Sequence, residues 1–295
     1  MFSIIIPTYN RQAQLLDALS SLESQTDKSF QVIIVDDYSD SVVSVNSTDY
    51  SYDVSVFRLD KNLGAAGARN YGVSKAKYEW IIFLDDDDIM HSNKIEYLKN
   101  EIKKFNFDLY SHGIKVIVPS LNLKYMSSFD TPSNPSKTIL VRNFIGGASR
   151  VLIKKSVFLD CGGFDTNLRA CEDYDLWIRV CQKYKVKISS EILLDYISDI
   201  GSSALSKNLI KNIEARNVIY EKNANLYFNA GFKTIREYNH YKNAFFMNIC
   251  VMNNSKRYVY YAFLSFLYSF KFKYIASALF FTKPTRLIRA RIKLG

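Results

Sequence analysis

Residues Asp85-Asp86-Asp87-Asp88 place four carboxylates in succession, directly after the apolar run Trp80-Ile81-Ile82-Phe83-Leu84. A short apolar run of aromatic and β-branched residues reads as a buried strand, so the acids fall where that strand leaves a sheet. Like charges this close repel one another, and a cation offsets the repulsion. Hard oxygen ligands suit Mg²⁺ or Mn²⁺, and those ions suit a substrate diphosphate. The same four residues also fit a solvated acidic turn capping a helix near His91-Ser92-Asn93, because acids favour helix starts. Two further acidic pairs stand out. Asp36-Asp37 follows an Ile/Val-rich run, and Glu172-Asp173 opens a helical pattern. Taken alone, Glu172-Asp173 fits either a general base with its neighbour or two acids that favour a helix dipole.

The elements that must position these acids alternate. Residues 2–7 and 31–36 are short apolar runs, and between them Leu15, Leu16, Leu19 and Leu22 recur at helical spacing. That pattern predicts a β-α-β unit. Val54 to Leu59 reads as a third strand, Ala65 to Lys75 as a helix and Trp80 to Leu84 as the next strand. Alternation of this kind implies a mostly parallel sheet with ligands at the carboxyl ends of the strands, where the acids lie. Asp108 to Val118 is a further strand candidate, and residues 119–137 read as a loop. Gly146-Gly147-Ala148-Ser149 predicts a turn into a short strand at Val151-Leu152-Ile153, and Cys161-Gly162-Gly163-Phe164-Asp165 a second glycine turn. Glu172 to Tyr184 reads as a helix, Val186 to Leu194 as the strand closing the body, and the chain from about Ser206 as helical.

Asn62-Leu63-Gly64-Ala65-Ala66-Gly67-Ala68-Arg69-Asn70 is rich in small residues but is neither GxGxxG nor a P-loop. It fits a helix start packed close to a nucleotide with Arg69 near phosphate, and equally plain helix–sheet packing. Together with Ser3-Ile4-Ile5-Ile6-Pro7-Thr8-Tyr9-Asn10, Val35-Asp36-Asp37-Tyr38-Ser39, Leu84 to Asp88 and Glu172-Asp173, it resembles the GT-A family 2 glycosyltransferases, in order and spacing, over roughly residues 1–205. The resemblance implies an α/β, Rossmann-like domain for a nucleotide-diphospho-sugar over residues 1–205, with a helical extension over 206–295. It implies that Pro7 to Tyr9 flank the nucleoside, that Asp37 meets the nucleobase edge and that Arg69 lies near base and diphosphate. Asp85-x-Asp87 matches the DxD signature. Asp87 would then ligate Mn²⁺ or Mg²⁺, with Asp85 or Asp86 near the ribose and Asp85 as a second candidate ligand. Asp173 matches the catalytic base, and Glu172 would orient it or bind acceptor. The sequence departs from the family's patterns twice. No QxxRW follows the base, which implies transfer of one sugar, not polymerisation. Asp199 stands where many relatives place a histidine before a Gly-Ser segment, so it is a candidate metal ligand or part of a lid without one.

Composition frames these sites. The chain has 295 residues and a net charge of +10. Residues 1–206 carry −3 and residues 207–295 carry +13, so an enzyme-like body is followed by a basic, aromatic-rich extension. Tyr258 to Phe270 is apolar and aromatic but shorter than the ~20 residues a bilayer span needs. Aromatics beside Lys and Arg suit an anionic membrane interface, and a helical cap or an oligomer interface fits as well. The clustering of large aliphatics speaks against nucleic acid as a partner. The four cysteines (Cys161, Cys171, Cys181, Cys250) form no CxxC pair and read as reduced, buried thiols. His91, His112 and His240 form no HxxH. The N-terminus reads as a strand, without the basic region or cleavage site of a signal peptide. The expected protein is a cytoplasmic enzyme, peripheral on the membrane, moving a sugar from a nucleotide donor to a glycan or lipid-linked acceptor. A sugar nucleotidyltransferase and a non-catalytic scaffold with a sugar-nucleotide fold are the alternatives.

Overall fold

The protein is described by a computed structural model over residues 1–198, 208–272 and 274. Its first half alternates as the sequence predicts: β1 (Phe2–Thr8), α1 (Gln12–Glu23), β2 (Phe30–Asp36), β3 (Asp53–Arg58), α2 (Gly64–Lys75) and β4 (Trp80–Phe83). All seven residues of β1 and of β2 are buried, as strands covered on both faces must be. Side chains alternate across the pleat and so feed two cores. Ile5, Ile33, Val35, Ile81 and Phe83 enter one, whereas Phe2, Ile4, Ile6, Val32, Ile34 and Ile82 enter the other. Gly72 of α2 lies so close to β1 that a Cβ there would meet Ile5 Cγ2 at 2.4 Å. Helix–sheet packing therefore accounts for at least this glycine of the small-residue helix.

Next come β5 (Asp88–Met90), α3 (Lys94–Lys104), β6 (Leu109–Val118), β7 (Leu123–Ser127), α4 (Pro135–Val141), β8 (Val151–Lys154), α5 (Lys155–Asp160), α6 (Glu172–Lys183) and β9 (Val186–Ile197). One sheet carries all nine strands in the order β3-β2-β1-β4-β8-β6-β9-β5, with β7 paired to β6. Strands β3, β2, β1 and β4 are mutually parallel. Beyond β4 the sheet is mixed: β8 and β5 run antiparallel to their neighbours, while β6 and β9 are parallel. The chain leaves β1 to one side for β2 and β3, then returns to β4 on its other side. That reversal is a topological switch point, where a crevice opens at the strand ends.

Two expectations need correction. Residues 119–137 are not a loop throughout: β7 pairs with β6, and α4 begins at Pro135, with Asn134 Oδ1 accepting the Lys137 N–H as its cap. The alternation in Leu123–Ser127 is half-exposed, which leaves little apolar signal in the sequence. The acidic run also does not pass straight into a helix. Asp88 begins β5, which pairs with β9 before α3 starts.

The extension forms α7 (Leu209–Lys222), α8 (Ala224–Ala230), α9 (Phe232–Met252) and α10 (Tyr258–Ser269). Ala215, Ile219, Tyr227 and Tyr238 join the same core as β4 and α6, so these helices pack on the body. Tyr227 lies 4.9 Å from Tyr238, ring to ring, and donates its hydroxyl to the Leu140 carbonyl at 2.9 Å. Helix α10 packs on α9 through Ala262 and Ser265. Among the described residues no helix is long and apolar enough to cross a membrane.

Candidate active site

The site assembles at the switch point. Where β4 ends, each of the first three acids of the run has an arginine partner. Asp85 Oδ1 accepts from Arg69 Nη2 at 2.5 Å, and the same guanidinium reaches Glu172 Oε1 through Nη1 at 3.0 Å. Arg69 is buried on α2, and Glu172 is the first residue of α6. One side chain thus ties three distant segments: the helix after β3, the acidic turn and the start of α6. Burial opposes the charge of Arg69, but Asp85 and Glu172 outweigh it and hold the guanidinium protonated. The Asp85 N–H donates to Ser149 Oγ at 3.0 Å, so the Gly146–Ser149 turn, which leads into β8, holds the acidic turn.

Arg11, just after β1, binds the next two acids. Its Nη1 lies 3.1 Å from Asp86 Oδ1 and 2.8 Å from Asp87 Oδ2. Asp86 also accepts the Thr8 hydroxyl at 2.8 Å. Burial nevertheless pushes the Asp86 carboxyl up to about 6, against the pull of Thr8 and Arg11. Burial and the charge of Asp85 raise Asp87 too, although its side chain is 41% exposed. Asp88 lies beneath the site. It is fully buried, its Oδ1 has no hydrogen-bond partner, and burial with the charge of Asp85 holds it well above the usual carboxylate range. Burial drives the equally buried Lys94 ammonium down to about 7 while Asp88 pulls the other way, and its Nζ donates to the Ser149 carbonyl at 2.9 Å.

Asp173 is balanced differently. No ion pair among the described residues involves it; its Oδ1 accepts the N–H of Tyr174 at 2.6 Å. Burial, with the charge of Glu172 added, pushes its carboxyl up to about 7. A carboxylate titrating there can hold or release a proton near neutrality. It is aimed by an unusual turn. Cys171, which precedes α6, has φ +58°, in the left-handed region that non-glycine residues seldom adopt.

The description "Glycosyl transferase family 2" matches residues 3–162, more than half of the chain, and "Glycosyltransferase like family 2" matches residues 133–202. The chain belongs to glycosyltransferase family 2. An uncharacterized glycosyltransferase of Haemophilus influenzae is 40% identical over 185 residues, covering 62% of this chain and 63% of that protein. The chain thus spans under two thirds of that relative's length. The amylovoran biosynthesis glycosyltransferase AmsB of Erwinia amylovora is 30% identical over 191 residues, 60% of this chain and 63% of its own. Residues 1–349 of S. aureus TarS, solved in complex with UDP-GlcNAc, superpose with a TM-score of 0.54 at 15% identity, covering 90% of this chain and 88% of that one. The likeness is one of fold: an α/β GT-A-like sheet followed by helices.

For a family 2 glycosyltransferase, the structure brings together Asp85, Asp86, Asp87, Arg69, Glu172 and Asp173 of the residues named from sequence. Asp37 lies one strand over, at the end of β2. It caps α2, its Oδ1 accepting the Leu63 N–H at 2.7 Å, and burial raises its carboxyl. Asp36 instead accepts from Arg58 Nη1 at 2.8 Å and from the Ser39 N–H. Pro7 is buried within β1, and Tyr9 is exposed just beyond it. Asp199 lies outside the described residues. The histidines serve elsewhere: His91 pairs with Asp195 at 2.7 Å, and His112 and His240 are buried. Arg11 and Lys94 were not expected from the sequence, and Thr8 and Ser149, expected beside the nucleoside and in a glycine turn, were not expected to bind the acidic run. Arg11 follows directly on Tyr9-Asn10, and Ser149 ends the Gly146-Gly147 turn, so position offered a signal. Lys94, at a helix start, offered none.

Proposed function

We propose that the chain is an inverting, metal-dependent, non-processive glycosyltransferase that moves one hexosyl or N-acetylhexosaminyl unit from a UDP-sugar to a hydroxyl of a glycan or lipid-linked glycan. The observation that carries this is the Asp85–Arg69–Glu172 bridge. It fixes the start of α6, and with it Asp173, beside the acidic end of β4, so a base and a diphosphate subsite share one crevice. In the reaction the acceptor oxygen bonds to the anomeric carbon as the bond to the diphosphate breaks. The electron pair leaves with the nucleoside diphosphate, and the acceptor's proton passes to the Asp173 carboxylate. No covalent enzyme intermediate is needed. Glu172, held by Arg69, orients the base. Asp37 uses its second oxygen toward the nucleobase, and Pro7 to Tyr9 flank the nucleoside.

The residues present fit a divalent cation. Arg11 places a positive nitrogen between Asp86 and Asp87, where the two carboxylates call for a cation. Among the described residues no three His, Cys, Asp or Glu side chains converge to form a complete cage. Mg²⁺ and Mn²⁺ commonly bind through one or two carboxylates plus substrate phosphates. Asp87 and Asp85 would hold the ion, with Asp199 as a further candidate. Bound there, it would neutralise charge developing on the leaving diphosphate.

The extension supports a peripheral place on the cytoplasmic face of a membrane, where a lipid-linked acceptor resides. Val259, Tyr260, Phe263, Leu267 and Phe270 are exposed on or just after α10. From residue 238 to 295 the sequence has ten Lys or Arg and no acid. An exposed aromatic face within so basic a segment suits an anionic bilayer surface. Truncation near Ser255 is expected to lower co-sedimentation with anionic vesicles, and unchanged co-sedimentation would instead favour a helical cap on the body.

Calorimetry with UDP and a panel of UDP-sugars, with and without Mn²⁺, tests the whole reading. Metal-dependent binding of UDP, lost in Asp87→Ala, is the expected result. Absence of binding by any nucleoside diphosphate would refute the donor assignment, and full Mn²⁺-dependent affinity in Asp87→Ala would refute the role of that acid.

A further inference from the structure

Helix α7 lies beyond both family matches, yet it reaches the turn that aims the base. The Cys171 thiol donates to Asn212 Oδ1 at 3.2 Å. Asn212 is buried, and its Nδ2 donates to the Asn208 carbonyl at 2.8 Å, which locks the amide in place. Arg216 follows four residues on, on the same face of α7. Its guanidinium lies 4.2 Å from the ring centroid of Tyr174 and 4.8 Å from that of Phe245. The Tyr174 hydroxyl donates to the Ile139 carbonyl at 2.8 Å, so that ring cannot swing away. Asn212 and Arg216 thus grip Cys171 and Tyr174, the residues on either side of Glu172-Asp173. A third tie holds the same first turn of α6. Lys222 Nζ bridges Asp165 at 2.7 Å and Asp175 at 2.9 Å.

The charges around Asp173 sharpen the point. Glu172 on its own helix raises its proton affinity, whereas Arg69 on α2 and Arg216 on α7 lower it. Arg69 is already engaged by Asp85 and Glu172. Arg216 is 6% exposed, its Nε has no hydrogen-bond partner, and none of the ion pairs among the described residues involves it. The groups that act on it most are Cys171, Tyr174, Tyr238 and Tyr227, which are neutral at pH 7. A buried guanidinium without a carboxylate of its own is costly, and the fold retains one behind the proposed base.

We propose that α7 positions the catalytic base: Asn212 fixes the Cys171 turn, and Arg216 fixes Tyr174 and supplies positive charge to Asp173. The proposal rests on the reading of Asp173 as the base. It makes the extension part of the reaction centre, in addition to any role at a surface.

The test uses the full chain and the UDP-sugar, from a panel, that the wild type turns over fastest. UDP release, UDP affinity by calorimetry and thermal unfolding are measured for Arg216→Met, Arg216→Lys and Asn212→Ala. For Arg216→Met the expected result is UDP affinity within about twofold of wild type and kcat lower by about 30-fold. The acid limb of its kcat profile is expected to rise by about one pH unit. Arg216→Lys is expected to return the limb toward wild type, because it restores the charge. Asn212→Ala is expected to lower kcat by about fivefold with the limb unmoved, since it frees the turn but leaves the charge. Should Arg216→Met not fold, Asn212→Ala and Arg216→Lys decide the matter. Unchanged kcat in the folded variants, or a fall in UDP affinity in step with kcat, would overturn the proposal. A wild type that binds no UDP would fail the functional reading itself, which is a separate result.

Discussion

The acidic turn after β4 and Asp173 at the start of α6 lie on either side of Arg69 but have their carboxylates balanced by opposite means. In the turn, Asp85 is paired with Arg69, and Asp86 and Asp87 share Arg11. At α6, Asp173 has a backbone N–H and no ion pair among the described residues, and burial pushes its carboxyl up to about 7. The difference matches the tasks proposed for them. Acids that hold a phosphate's counter-ion must be ionised and must exchange one cation for another, so an arginine beside them is useful. An acid that takes a proton gains nothing from a strong ion pair, which would lower its basicity.

Removing the base is the most severe way to test that contrast. Asp173→Asn is expected to keep UDP affinity and to lower transfer by about 10²–10⁴-fold. Loss of donor affinity in step with rate would place Asp173 among the binding acids after all. The same substitution has a stability signature. Because Asp173 is raised in the folded state, its ionisation works against the fold, and that cost develops as pH rises from the unfolded value of about 4 through the folded value of about 7. Asp173→Asn should therefore unfold at a higher temperature than wild type at pH 8, with the gain shrinking as the pH falls toward about 4. An equal gain at both pH values would mean that shape, not charge, is responsible.

Arg69 joins the two regions, so its loss should damage both. Arg69→Met removes a buried guanidinium and leaves Asp85 (33% exposed) and Glu172 (20% exposed) without their shared partner, so the loss of stability is expected to fall below the about 3–5 kcal/mol of a fully buried pair. Chemical denaturation measures it. Near-wild-type stability would show that the bridge joining turn and helix is dispensable. A milder test leaves the protein intact. Because the base must be ionised to accept a proton, kcat/KM is expected to fall about tenfold for each pH unit below about 7, and to level off above it. A profile flat down to about pH 5 would remove Asp173 from the role.

The contrast was only partly legible in the sequence. Strands β1, β2 and β4 announced themselves because burial on both faces forces continuous Ile, Val and Phe runs. The acids announced themselves because four in a row are rare and fall at a strand end. Their partners did not. Arg11 lies 75 residues from Asp86 in the chain, and Arg69 lies 103 from Glu172. No periodicity encodes a pairing across such distances; only the strand order brings them together. Asp88 shows the same limit from the other side. It reads as one more acid of the run, yet it faces inward at the start of β5, because successive residues in a strand point to opposite faces. The half-exposed strand β7 left too weak an alternation to detect.

Arg11 offers the finest test. Its side chain is 40% exposed, so solvent screens its pairs with Asp86 and Asp87, and each is worth about 0.2–1 kcal/mol. If a divalent ion is held by Asp87, it competes with Arg11 for that carboxylate. Arg11→Gln should then bind Mn²⁺ about two- to fivefold more tightly in the absence of nucleotide, as followed by spin-resonance titration. The opposite result is equally instructive. Weaker Mn²⁺ binding would mean that Arg11 holds Asp86 and Asp87 in the orientation the ion needs. The arginine would then be part of the site's framework, and the exchange of one cation for another would no longer set this region apart from the base.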